Sequence, residues 1–319
     1  MPGSKNTYDP KTDMPDISGK VYVVTGGSAG IGFGICAHLL QHNCAALYIL
    51  SKKKEHLEEA QQGLKKYGDI SKLHPIQLDL EDLHQTDKIA ARLSKELIRL
   101  DALILHASLS VAPSAESKDS IDTHMQVNIL SQHHLTMCLL PLLIQTHDSR
   151  LVLQTSSSSL HHFSPSPKFP KEISELKSDI IGPMTSPYGR TKLSQILQTR
   201  ALVRRKQRAE IGMRPNSAPW INTTHPGEQA IDAHGNIGVI TRPSMKDAID
   251  QGCRSALFAA TSPDVAAEKM DGEYIVSSDC RVSSETTEHV QDEELGERLW
   301  ELTEQILREK LGGLPYRTS

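Results

Sequence analysis

The chain has 319 residues, 38% hydrophobic but only 4% aromatic, and a net charge of −4. That length and composition suit one large α/β domain with an aliphatic core, and the acidic balance gives no global positive field for nucleic acid. Cys36, Cys44, Cys138, Cys253 and Cys280 form no C-x-x-C pair, so they read as thiols of a reducing compartment, not a disulfide framework or a zinc site. The polar N-terminal stretch has no signal-peptide core, and no window reads as a membrane span. A cytoplasmic protein is therefore expected.

Residues 1–18 read as a polar arm, disordered or wrapped on the surface. Val21–Val24 is a continuous apolar run, as a buried parallel strand should be, followed by Gly26, Gly30 and Gly32 and a helix from Ile31 to about His42. The pattern then repeats. Strands are expected at Ala45–Leu50, Leu73–Leu80, Ala102–Leu105 and Arg150–Thr155, with helices over residues 53–66 and 83–100 and from about 120 to 144, where Pro141 should kink or end the last. After Ser156 comes a Ser-, Pro- and His-rich stretch, then a helix over Tyr188–Arg208, a strand at Trp220–Thr224, a helix from Pro243 to Ala260, a strand at Gly272–Val276 and an amphipathic helix over Asp292–Leu311. Alternating strands and helices of this kind predict a single-domain, Rossmann-type doubly wound parallel sheet of about seven strands. The domain spans residues 19–312, with a tail at 313–319 and substrate loops at 157–187 and 228–245.

A strand, a glycine turn and a helix together make a dinucleotide-phosphate site. The backbone must approach a pyrophosphate without a Cβ in the way, and the helix N-terminus offers unpaired N–H groups. The second chemical signal is Tyr188-Gly-Arg-Thr-Lys192. Tyrosine and lysine four apart share a helix face, and a nearby ammonium makes a phenol of pKa about 10 usable as an acid/base group. Where an NAD-selective carboxylate would end the second strand, about 20 residues past the glycines, the chain has Ser51, Lys52, Lys53 and Lys54. Hydroxyl and ammonium groups suit a 2′-phosphate, so NADP(H) is the expected cofactor. The paired histidines His133-His134 and His161-His162 are set aside as metal ligands because neighbours on a helix or strand diverge, and no metal is expected. His161 and His162 remain candidates for facing the substrate.

These motifs resemble the short-chain dehydrogenase/reductase family over roughly residues 17–310, in the manner of its retinol-dehydrogenase-like and WW-domain-oxidoreductase-like branch, which includes reductases of specialised biosynthesis. The family's glycine motif falls on Thr25–Gly32, its Asp-Leu on Asp79-Leu80, its helical asparagine on Asn128, its serine on Ser156 (Ser157 if the strand end shifts by one), its Tyr/Lys pair on Tyr188 and Lys192, and its Pro-Gly on Pro226-Gly227. The resemblance implies that Tyr188 is the proton donor or acceptor and Lys192 binds the nicotinamide ribose and lowers the tyrosine's pKa. It implies further that Ser156 orients a carbonyl and Asn128 holds a relay water through its backbone. The implied cofactor contacts are Gly26, Ser28, Ala29, Gly30, Ile31, Gly32, Ser51, Lys52, Lys53, Asp79, Leu80, His106, Ala107, Asn128, Tyr188, Lys192, Pro226 and Gly227.

Three departures accompany these matches: Leu105-His106-Ala107-Ser108 replaces Asn-Asn-Ala-Gly, Ile231 replaces a threonine, and Ser156 and Tyr188 are unusually far apart. The expected activity is NADPH-dependent hydride transfer to or from a carbonyl, alcohol or imine of a small organic substrate. The alternative is a cofactor-binding member turned to non-redox work, such as cyclisation of a biosynthetic intermediate or regulatory binding. The helices near residues 120–145 and 188–208 often form a dimer face in this family, so a homodimer is a possible assembly.

Overall fold

The computed structural model describes residues 8–110, 113, 115–156, 186–226, 251–276, 280–283 and 287–317, with Ser186 and Pro187 described by backbone alone. Seven strands form one parallel sheet: β1 (Val21–Thr25), β2 (Ala46–Ser51), β3 (Leu73–Gln77), β4 (Ala102–Leu105), β5 (Arg150–Gln154), β6 (Trp220–His225) and β7 (Tyr274–Val276). Their order is β3-β2-β1-β4-β5-β6-β7, so the direction of winding reverses between β1 and β4. The main helices are α1 (Gly30–Gln41), α2 (Lys54–Leu64), α3 (Leu83–Glu96), α4 (Ser131–Gln145), α5 (Ser186–Gln207), α6 (Arg254–Thr261) and α7 (Glu293–Leu311).

Strand pleating divides the apolar residues between two faces. Tyr22, Val24, Ile49, Ile104 and Val152 pack with residues of α1 and α6, whereas Val23, Leu50, Leu103, Leu151 and Ile221 pack with residues of α3, α4 and α5. The continuous apolar strands follow from this, because both faces of the sheet are covered.

Three expectations need correction, and one is narrowed. Of the arm, residues 8–18 are wrapped onto the fold: Met14 and Ile17 are buried, the Tyr8 ring meets Phe258 edge-on at 5.4 Å, and its hydroxyl lies 3.2 Å from that of Thr261. Pro141 does not end its helix, which runs through it to Gln145. The proline sits on the exposed side, where the missing N–H costs least. Before α4 the chain makes a helical turn over Thr123–Met125 and a π turn over Gln126–Leu130. Finally, the segment Thr123–Gln145 is long and apolar enough to cross a membrane by length and composition, yet 83% of its most apolar window is buried inside the fold; it is a core helix. The expected helix start at Pro243, both substrate loops, His161, His162 and Ile231 lie outside the described residues.

The C-terminal helix docks on α4 and α5. Its apolar stripe (Leu295, Leu299, Leu302, Ile306, Leu307) is buried. Polar contacts pin it in register: Glu304 to His133 at 2.7 Å, Thr303 to Gln198 at 3.0 Å, and Glu297 to Arg204 and Arg205, each at 2.8 Å. Trp300 lies under the Arg205 guanidinium at 4.1 Å. The sides of α4 and α5 that carry His133, Gln198, Arg204 and Arg205 are therefore covered by the chain's own last helix.

Candidate active site

At the switch between β1 and β4 a cleft of about 370 Å³ opens at the carboxyl ends of the strands, where sheets of this kind bind their ligands. Gly26, Ser28, Ala29, Gly30, Ile31, Ser51, Lys52, Asp79, Leu80, His106 and Ala107 all line it. The glycines are needed for different reasons. A Cβ on Gly32 would sit 2.2 Å from the Gly26 carbonyl oxygen, and one on Gly26 would sit 2.9 Å from Ala107 Cα. Gly30 adopts φ +54 with nothing among the described residues within 4 Å of where its Cβ would lie. Ala29 caps α1 without a side-chain hydrogen bond, and no acid sits in the first turn. The orphan N–H groups and positive end of that helix are thus left for an anion. These residues fit a dinucleotide pyrophosphate.

Thr25 fixes the opposite wall. Its hydroxyl accepts from the His106 and Ala107 N–H groups at 3.1 and 3.0 Å, while Gln132 holds the Ala107 carbonyl at 2.7 Å. Burial, helped by the Lys192 charge, pushes the His106 imidazole down to about 4; at neutral pH the ring is uncharged.

The adenosine end is more balanced in charge than the lysine run suggests. The Ser28 and Ser51 hydroxyls are 2.7 Å apart. Lys52 reaches across to Glu81 at 2.6 Å and Asp79 at 3.3 Å. Partial burial opposes the Lys52 charge, but these two carboxylates outweigh it and the pKa moves up. Lys53 is exposed at the N-cap of α2 and does not line the cleft.

The second group of residues lies on α5 and the π turn. The Tyr188 phenol is hydrogen-bonded by Ser156; burial raises its pKa and that bond partly opposes the rise. Lys192, one helical turn on, is fully buried, 5.4 Å from the Tyr188 ring centre, and burial drives its ammonium down to about 7. Lys192 donates to the Gln154 carbonyl at 3.0 Å and to Gln195 Oε1 at 3.2 Å. Gln195 in turn donates to the Asn128 carbonyl at 3.3 Å. The Asn128 side chain clamps the loop after β4, accepting from Leu109 N–H at 2.8 Å and donating to Leu109 O at 3.1 Å and to Thr191 at 2.9 Å. A π turn at such a position is a common way of aiming one backbone group into a site.

Ser156, Tyr188, Lys192, Asn128 and Gln195 are thus joined by close contacts, and Pro226 is half-buried at the end of β6; Gly227 lies outside the described residues. Gln195, Gln132, Thr191 and Glu81 escaped the sequence reading. Gln195 carried a signal, since it lies three residues past Lys192 on the same helical face.

Residues 20–168 match the family model described as short chain dehydrogenase. Over 316 residues the chain is 32% identical to the oxidoreductase bli-4 of Neurospora crassa, which bears the designation mitochondrial, covering 93% of this chain and 74% of that one. The chain belongs to the short-chain dehydrogenase/reductase family. Within the family it is also similar to the human WW domain-containing oxidoreductase, at 27% identity over 98% of this chain and 75% of that protein. Among solved structures, a short chain dehydrogenase from Escherichia coli CFT073, complexed with NADPH, superposes with a TM-score of 0.57 at 19% identity, covering 82% of this chain and 98% of that one.

Proposed function

We propose that this short-chain dehydrogenase/reductase is an NADP(H)-dependent reductase of a carbonyl or imine on a small organic substrate, with Tyr188 as the acid/base group. The observation that carries the reading is Tyr188 itself: a half-buried phenol bonded by Ser156, one helical turn from a buried lysine. A phenol whose pKa is raised by burial stands protonated at neutral pH and is set to donate, which favours the reductive direction. Ser156 shares the oxygen that receives the proton. Lys192 supplies charge behind the phenol, with Gln195 and the Asn128 carbonyl fixing its position. The glycine turn and the α1 N-terminus would hold the pyrophosphate, and the bound nicotinamide supplies or takes the hydride.

Preference for the 2′-phosphate is inferred from Ser51 and Lys52 in the cleft wall and from the absence of a carboxylate at the end of β2. The E. coli relative, which holds NADPH, agrees with it. Substrate contacts are assigned to residues 157–187 and 228–245, which apart from the backbone of Ser186 and Pro187 lie outside the described residues.

The test is Tyr188→Phe against a broad panel of aldehydes, ketones and imines. NADPH binding should persist within about threefold, while NADPH oxidation should fall by at least about 10²-fold, the usual range for losing an acid/base group. Turnover that survives in the variant overturns the Tyr-based mechanism. Wild-type protein that binds NADPH yet oxidises it with no member of the panel favours the non-redox alternative.

A further inference from the structure

Away from the cleft, three side chains of unlike chemistry converge between α3 and α4. His134 and Cys138 lie four residues apart on one face of α4, and Asp87 projects from α3. His134 Nε2 is 2.9 Å from Asp87 Oδ1 and 3.6 Å from Cys138 Sγ, and all three donor atoms fall within 4.8 Å of one another.

The arrangement is wrong for a proton relay. A thiol–imidazole–carboxylate relay puts acid and thiol on opposite ring nitrogens, whereas here both face Nε2. One small cation satisfies all three at once, with ligand separations that need only modest expansion to reach metal bonds of about 2.0–2.3 Å. The other nitrogen, Nδ1, is 3.3 Å from the Tyr316 hydroxyl. That contact supplies the outer partner that fixes a ligating histidine's tautomer and ring orientation. His134 is wholly buried and Cys138 partly so, while the Asp87 side chain is 42% exposed and leaves a path in from solvent. Cys138 and Tyr316 also line a cavity of about 510 Å³ with Met137, Pro141, Ile144 and Ile211.

We propose that Asp87, His134 and Cys138 bind one divalent transition-metal ion of the Zn²⁺ class, with the fourth position left to water or to a donor in the adjoining cavity. The mixed sulfur, nitrogen and oxygen set selects a borderline ion; Mg²⁺ and Ca²⁺ demand oxygen shells. The site rests on none of the residues assigned to hydride transfer. Because its ligands come from two helices, the ion ties α3 to α4.

The experiment uses tag-free, reduced, full-length protein titrated with Co²⁺ as a visible stand-in for Zn²⁺. One equivalent should bind, giving the intense near-ultraviolet thiolate-to-cobalt band and four-coordinate visible bands. Zn²⁺ should displace it, and Mg²⁺ and Ca²⁺ should not. Cys138→Ser should lose the near-ultraviolet band, and Tyr316→Phe should weaken binding about 10- to 100-fold, each with an unchanged far-ultraviolet circular dichroism spectrum. Absence of the band, or a band that survives Cys138→Ser, overturns the proposal.

Discussion

Gln195 ties Lys192 to Asn128: its carbonyl oxygen accepts from the Lys192 ammonium at 3.2 Å while its amide donates to the Asn128 backbone oxygen at 3.3 Å. The resemblance placed a relay water on that backbone oxygen; here a side chain of α5 engages it directly. Among the described residues Lys192 is buried against neutral acceptors and meets no carboxylate, which is why burial alone sets its pKa near 7.

Gln195→Glu therefore tests the link. A carboxylate at that distance should raise the Lys192 pKa by about 1–3 units. In the wild type, NADPH affinity should weaken as pH rises through about 7, where the ammonium loses its charge. In the variant that limb should move upward by the same interval. His106 titrates near 4 and leaves the window clear. Fluorescence titration of NADPH across pH 6–10 reads it, and coincident limbs for the two proteins sink the idea.

Cofactor selection can be probed through Glu81, which competes with a 2′-phosphate for Lys52. Glu81→Gln should tighten NADPH about three- to fivefold, the scale of one exposed ion pair, with little effect on NADH. Lys52→Glu with Lys53→Glu should weaken NADPH roughly tenfold or more beyond any loss for NADH. Equal changes for the two cofactors in both variants would remove the case for phosphate recognition.

His106 makes stability depend on pH. Its folded pKa is depressed from 6.5 to about 4, so the unfolded chain takes up the proton first. The protein should lose stability as pH falls from about 6.5 to about 4, by on the order of 2 kcal/mol from this residue. His106→Asn should flatten that decline by a similar amount in urea unfolding curves at pH 7.5 and 5. Parallel declines would mean that the ring is hydrated in the folded state.

A buried ion pair secures β6. Lys206 Nζ is 2.7 Å from Asp271 and 2.8 Å from the Pro219 carbonyl, and Asp271 also accepts from the Ile221 N–H. Lys206→Met strands the carboxylate and should cost about 3–5 kcal/mol. A loss under about 1 kcal/mol in urea unfolding would show that water reaches Asp271.

The strands and the glycine turn were legible because a sheet covered on both faces leaves continuous apolar runs, and a backbone held 2.2 Å from a would-be Cβ admits only glycine. Tyr188 and Lys192 were legible because four residues make one helical turn. What escaped depended on partners from distant elements. The Lys52 charge was readable, but Glu81, 29 residues away, becomes its partner only once β2 and β3 pair. Asp87 gives no hint that it will meet His134, 47 residues on. Pro141 was misjudged because a proline's cost depends on whether its side of the helix faces water.

The docked helix α7 makes the C-terminal end of the chain part of its own core. By laying Leu299, Trp300 and Ile306 over α4 and α5, the chain supplies the apolar cover of these helices from its own C-terminal end. Loss of the last residues in translation or to a protease would do more than shorten the molecule. It would unmask the apolar sides of α4 and α5 and leave them facing water.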